Sequence, residues 1–190
     1  MFLGGGEGEI SSAQGLLELC ESHHQSLPEV VAAYEAFRTN SSVETVWTEM
    51  ERTLEVMRTS VKNGMKDRGD LAHIIKGYGY LFKEADAKGQ LLGGELFKKI
   101  ILYSLSVGQY NASLGRIVAC PTAGSCGVVP GALLAVAEEL GSSDQEVVDS
   151  LFVVGGVGIV SAAQGPISGA EGGCQAECGV ASAMAAGAIT

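Results

Sequence analysis

A chain of 190 residues, 46% of them hydrophobic, is long enough to bury a core without needing disulfides. Its net charge of −10 argues against nucleic acid and anionic membranes as partners, because both attract basic proteins. The N-terminus lacks the basic and apolar layout of a signal peptide, and the cysteine count of five is odd. We therefore expect a cytoplasmic protein whose cysteines are free thiols or metal ligands.

Apolar residues at helical spacing predict three helices in the first third of the chain. These helices run from Ser11 or Ser12 to about His23, from Pro28 to about Phe37, and from Ser41 or Ser42 to about Val61. The polar stretch that follows is the best boundary in the chain. We predict an N-terminal helical segment over residues 1–66 and a second unit over residues 67–190.

Five further helices are predicted in the second unit, over about 71–82, 94–114, 130–140, 145–163 and 168 to the C-terminus. Asp144 is expected to cap the fourth of them, and Ser168 with Glu171 has the form of a capping box that opens the last. The last helix reaches the final residue without a capping glycine, so we expect an incomplete domain.

No segment shows the alternation of a strand, and the predicted fold class is all-α. Glycine and alanine are frequent in the helices of the second unit, which lets helix backbones pack closely. We expect a compact Gly/Ala-rich helical domain with glycine-rich loops, preceded by short N-terminal helices. The longest uncharged apolar stretch, residues 151–163, is too short to span a bilayer.

The stretch "CPTAGSCGVVPG" at 120–131 has the composition of a loop before a helix that starts with proline. Its amide groups could converge on an anion such as a carboxylate. The same residues also suit a tight connector, and the turn residues alone favour that interpretation.

The stretch "GPISGAEGGCQAECG" at 165–179 places Cys174 near the start of the last helix, where the helix dipole favours the thiolate that binds metal. Cys174 and Cys178 share a helical face, and Cys120 and Cys126 could approach from the other stretch to form a zinc or iron–sulfur site. The spacings match no compact ligand pattern. We therefore expect Cys120, Cys126 and Cys178 to be small buried hydrophobes, and for Cys174 both interpretations stay open.

Two acidic side chains of the same stretch, Glu171 and Glu177, are candidates for acid–base chemistry. Glu171 is better explained as the capping-box partner of Ser168.

Two long stretches carry a resemblance to a known family: "NASLGRIVACPTAGSCGVVPGALLAVAEE" at 111–139 and "ISGAEGGCQAECGVASAMAAG" at 167–187. With these motifs the sequence resembles the alpha chain of the iron–sulfur-dependent bacterial L-serine dehydratases, over nearly the whole chain after about Ser11. The resemblance implies a mainly helical domain that holds a 4Fe–4S cluster on three cysteines, with one iron open to the serine hydroxyl as a Lewis acid. A base removes the α-proton, water is lost, and aminoacrylate becomes pyruvate and ammonia.

The resemblance also implies the site residues. Cys174 matches one cluster ligand, and the other two lie in a downstream Cys-Asp-Pro-Val segment of the family, which is expected outside these 190 residues. No residue of the chain is assigned as the general base. The residues implied to line the substrate and cluster neighbourhood are Thr122, Ala123, Gly124, Ser125, Ser168 and Gly169.

The expected partners are L-serine and a beta chain of the same enzyme, which carries a Ser-Ser-His motif, in an oligomer without nucleic acid or membrane. Two alternatives stay open. The chain could belong to a related lyase that eliminates sulfide from L-cysteine, or it could be a catalytically incomplete helical domain that only binds the beta chain.

Overall fold

The computed structural model describes residues 10–69 and 76–190, and in these ranges it contains eight helices and no strand. The all-α prediction is therefore confirmed. The helices are α1 (Ala13–His23), α2 (Leu27–Thr39), α3 (Val43–Gly64), α4 (Tyr78–Ala87), α5 (Glu95–Ala112), α6 (Val128–Leu140), α7 (Asp144–Gln164) and α8 (Gly169–Ile189).

The helix ends follow the capping residues of the sequence, with local differences. Ser12 and Ser42 cap α1 and α3 as predicted, each accepting a hydrogen bond from a backbone amide three residues on. The cap of α7 is Ser143 rather than Asp144, because Ser143 and Glu146 form a capping box. The prediction of a helix over 71–82 was displaced: residues 71–75 lie outside the described ranges, and α4 begins only at Tyr78.

The core lies where α7 crosses the other helices. One side of α7 packs on α2 and α3, and another packs on α8, while α6 lies between α5 and α8. Phe152 of α7 is almost fully buried, and its ring centroid lies 4.3 Å from that of Trp47 on α3. Helices of the 1–66 segment therefore pack directly on helices of the 67–190 segment, and the division between the two stays a prediction.

Among the described helices, α7 has the length and apolar composition that a membrane span would need. This is weak evidence for a membrane, because core helices of soluble proteins pass the same test. In this structure α7 lies against α2, α3 and α8 and buries Val148, Leu151 and Phe152 among them.

The close crossing of α5 and α6 positions the loop that joins them. At Gly131 of α6, a Cβ atom would lie 2.9 Å from the backbone nitrogen of Ser104 on α5, so a larger residue would push the two helices apart. The connecting residues 113–127 run over one end of this helix pair and meet the start of α8.

Candidate functional site

The loop between α5 and α6 has backbone amides that are free to donate. In the described ranges, the amides of Thr122, Ala123, Gly124 and Ser125 donate to no protein acceptor. The amide of Asn111, at the end of α5, anchors this stretch by donating from Nδ2 to the Ala123 carbonyl at 3.0 Å. Four consecutive free N–H groups in a fixed loop can receive an anion.

Two hydroxyl groups stabilise the same loop. Ser125 is buried, and its hydroxyl donates to the Cys120 carbonyl at 3.0 Å, which closes the turn. The Thr122 hydroxyl lies 3.4 Å from the Ser125 hydroxyl and donates to the carboxylate of Glu177 on α8. The loop is therefore bonded both to itself and to the helix opposite.

The start of α8 is not the continuous helix that was predicted. Gly173 has φ 78° and ψ 164°, which breaks the helix one residue before Cys174. The predicted capping box is also wrong: the Ser168 side chain makes no capping hydrogen bond, and only its carbonyl accepts, from the amides of Glu171 and Gly172. Cys174 consequently lies at the start of the regular part of α8, with its side chain exposed.

Glu177 is the residue at which the two motifs meet. A Cβ atom on Gly124 would lie 2.7 Å from one oxygen of its carboxylate, and a Cβ atom on Gly169 would lie 2.8 Å from the other. The carboxylate therefore lies directly against both glycines, in space that a side chain on either would take. The structure brings Thr122, Gly124 and Gly169 together around Glu177, with Ala123, Ser125 and Ser168 adjacent to them along the chain.

Sequence reasoning named Glu177 only as a general acid–base candidate and did not place it against the loop. One signal for this placement was present, since Glu177 follows Cys174 by three residues and shares its helical face. The contact with Thr122, 55 residues earlier in the chain, depends on the packing of α6 on α8.

The cysteines divide by burial. Cys120 and Cys126 are buried, and loss of solvent raises the pKa of each thiol to about 11, with Cys126 adding to the effect on Cys120. Their expected role as small buried hydrophobes is confirmed. For Cys178 that expectation was wrong, because its side chain is exposed on α8 beside Cys174.

The cysteines of the described ranges do not form a complete metal site. No group of three or more His, Cys, Asp or Glu side chains in these ranges is arranged to hold a metal ion. Cys120 and Cys126 are neutral and buried, whereas metal binding requires an accessible thiolate. The donor set therefore does not fit a whole iron–sulfur cluster, and Cys174 fits at most as one ligand of it.

One cavity lies away from these residues. It has a volume of about 430 Å³ and is lined by residues of α3, α5, α6 and the start of α7, among them Arg58, Tyr103 and Glu138. Burial, together with the hydrogen bond that its hydroxyl donates to Glu138, raises the pKa of Tyr103. None of the predicted site residues lines this cavity.

Comparison with known proteins identifies the family to which this sequence is similar. Residues 22–190 match the family model described as "Serine dehydratase alpha chain". The match includes both motifs and every residue described above for the site, from Asn111 to Glu177.

Individual relatives of the chain also carry the name L-serine dehydratase. The chain is 36% identical over 174 residues to an L-serine dehydratase alpha chain of Bacillus subtilis (strain 168), covering 92% of this chain and 58% of the relative. It is 29% identical to the L-serine dehydratase alpha chain of Peptoniphilus asaccharolyticus, covering 95% of this chain and 62% of the relative. It is 34% identical to an L-serine dehydratase of Helicobacter pylori (strain ATCC 700392 / 26695), covering 95% and 41%. The chain thus spans between about two fifths and three fifths of the length of these relatives.

Proposed function

The chain belongs to the serine dehydratase alpha chain family, and we propose that it is the alpha-chain part of an enzyme that converts L-serine to pyruvate and ammonia. The observation that carries the proposal is the contact between loop 120–127 and the start of α8, through Thr122 and Glu177. This contact gathers donors and a carboxylate in a small space, as recognition of an amino acid requires.

In this proposal the loop binds the substrate carboxylate. The free amides of residues 122–125 donate to its oxygens, and the Thr122 hydroxyl lies at the edge of the same place. Gly124 and Gly169 have no side chains, and this lets the carboxylate of Glu177 lie beside the loop amides. The proposed substrate-binding residues are thus Thr122, Ala123, Gly124, Ser125, Ser168 and Gly169.

The reaction is an elimination of water. The C–H bond at the α-carbon breaks and its proton passes to a base, the C–O bond at the β-carbon breaks, and the hydroxyl leaves as water. The product, aminoacrylate, becomes an imine, and water converts the imine to pyruvate and ammonia. The fixed loop contributes by holding the carboxylate, and so the α-carbon, in one orientation throughout.

We also propose a 4Fe–4S cluster as the cofactor, with Cys174 as one of its ligands and the remaining ligands outside these 190 residues. The exposed thiol at the start of the regular part of α8 supports this assignment. A beta chain is proposed as the partner, with the assembly in the cytoplasm. The described residues do not complete the cluster site.

The function and the cofactor are tested together in the chain assembled with a beta chain under anaerobic conditions. We expect pyruvate from L-serine at a higher rate than from L-cysteine. A higher rate from L-cysteine would favour the sulfide-eliminating alternative, and no pyruvate from either would favour the incomplete domain.

The ligand assignment is tested by Cys174→Ser, with Cys178→Ser as the matched control one turn further along α8. We expect Cys174→Ser to remove the iron and the visible absorbance of the cluster, and Cys178→Ser to retain most of both. Equal loss in the two variants would contradict the assignment of Cys174.

A further inference from the structure

We propose that Glu177 binds the α-ammonium group of the amino-acid substrate and so makes the site selective for amino acids over hydroxy acids. The inference deepens the proposed function and rests on it. It gives a specific role to a carboxylate that the sequence named only as a candidate for acid–base chemistry.

The carboxylate of Glu177 has no cationic partner among the residues that the structure describes. None of the ion pairs in the described ranges includes Glu177, and the Thr122 hydroxyl is the one protein group that donates to it there. The sequence also contains no Lys, Arg or His after Arg116. A carboxylate has about four acceptor positions, so most of those on Glu177 are open to a ligand.

The negative charge of Glu177 lies directly against the loop and the start of α8. Its two oxygens fill the spaces that side chains on Gly124 and Gly169 would occupy, and its side chain is half-buried. Partial burial lowers the local dielectric, which strengthens attraction to a cation. An isolated carboxylate here would be costly, whereas one that meets an ammonium group is compensated.

The groups at this place are complementary to those of an amino acid. An amino acid carries a carboxylate and an ammonium group on one carbon atom, so its site must offer donors and an acceptor close together. The free amide of Gly124 supplies a donor, and the Glu177 carboxylate lies against the same residue. A hydroxy acid would satisfy the amides and leave the charge of Glu177 unpaired.

The test compares L-alanine and L-lactate, which both lack the β-hydroxyl group that the reaction eliminates. The two differ only in the ammonium or hydroxyl group at the α-carbon. Binding of each is measured by calorimetry to the chain assembled with its beta chain. We expect the wild type to bind L-alanine more tightly. Glu177→Gln, which keeps an acceptor for Thr122 and loses the charge, should weaken L-alanine by about 10- to 100-fold and change L-lactate by less than about twofold.

Two further variants separate binding from structure. Glu139→Gln removes an exposed carboxylate at the end of α6 that lies away from the loop, and should leave both affinities unchanged. Thr122→Val removes the hydroxyl that donates to Glu177 and keeps the charge of Glu177. It should lower the affinities for both ligands by similar factors, because it disturbs the loop.

An equal loss of both ligands in Glu177→Gln would overturn the inference in favour of a role in holding the loop. No loss of either, or a wild type without preference for L-alanine, would overturn it too. Pyruvate formation from L-serine decides the proposed function separately. If L-serine is turned over while L-alanine binding does not depend on Glu177, only the inference fails. If L-serine is not turned over but the dependence is found, only the function fails.

Discussion

The thiol of a cysteine is reactive only as thiolate, and burial decides how readily each cysteine of this chain reaches that form. Cys120 and Cys126 belong to the loop 120–127, and their side chains are buried, with 5% and 1% of their surfaces exposed. Cys174 and Cys178 lie on the exposed side of α8. Residues close together in the sequence motifs therefore differ in chemistry because of their depth in the fold.

This difference predicts a selective alkylation. With iodoacetamide near pH 8 and no bound metal, we expect Cys174 and Cys178 to be modified in the folded chain while Cys120 and Cys126 remain unmodified. Peptide mass spectrometry measures the extent at each site. The same reaction in denaturant is the control, in which all five cysteines, including the partly buried Cys20, should react. Early modification of Cys126 in the folded chain would contradict the burial described.

The buried thiols also predict a dependence of stability on pH. The pKa of each is about 11 in the folded chain against an ordinary value near 9, so above pH 9 the unfolded state loses its thiol protons first. The stabilisation is fully present below about pH 9 and is lost as pH rises through 11, by roughly 2 to 3 kcal/mol for each thiol. We expect the free energy of unfolding, measured in urea at pH 8 and pH 10.5, to decrease less with pH in Cys126→Ala than in the wild type. An equal decrease of the free energy of unfolding in the variant and the wild type would contradict the role of the buried thiols.

Helix packing in this chain depends on glycines at the crossings. At Gly64, the last residue of α3, a Cβ atom would lie 1.8 Å from the backbone carbonyl oxygen of Ser106 on α5. A backbone atom cannot rotate away, so relief requires the two helices to separate.

We therefore expect Gly64→Ala to lower the free energy of unfolding by about 3 kcal/mol or more, at the upper end of overpacking effects. The matched control is Gly108→Ala in the middle of α5, where a Cβ atom meets nothing within 4 Å. That change should stabilise the chain by about 0.5 to 1 kcal/mol, because alanine is the better helix former. Urea unfolding measures both. Similar stabilities for the two variants would contradict the close crossing.

Most helix boundaries of this fold follow from interactions between neighbouring residues, and the exceptions have physical reasons. Ser12 and Ser42 cap their helices as predicted, because a capping hydrogen bond involves only neighbouring residues. The break at Gly173 was not predicted, since a glycine inside a helical pattern is compatible with either conformation. The contact of Thr122 with Glu177 could not be predicted from periodicity, because it depends on how two helices cross.

For the whole molecule, the central question is whether the predicted segments 1–66 and 67–190 unfold as one body. The ring of Trp47 on α3 packs on Phe152 of α7 at an interplanar angle of 58°, and so joins the two segments in one core. Arg58 adds a polar contact by donating to Asp144 at the start of α7. These contacts favour a single cooperative transition, as small domains usually show.

Trp47 is the single tryptophan of the chain, so its fluorescence reports on this junction alone. We expect its unfolding midpoint in urea to coincide with that of helix content measured by circular dichroism. Phe152→Ala should lower both midpoints together and cost about 3 to 5 kcal/mol, because it leaves a cavity at an almost fully buried position. Phe97→Ala, at a side chain that is 60% exposed, is the control and should change stability by about 0.5 kcal/mol or less. If fluorescence changes at a lower urea concentration than helix content, the two segments separate before either unfolds, and the boundary near residue 66 divides two independent units.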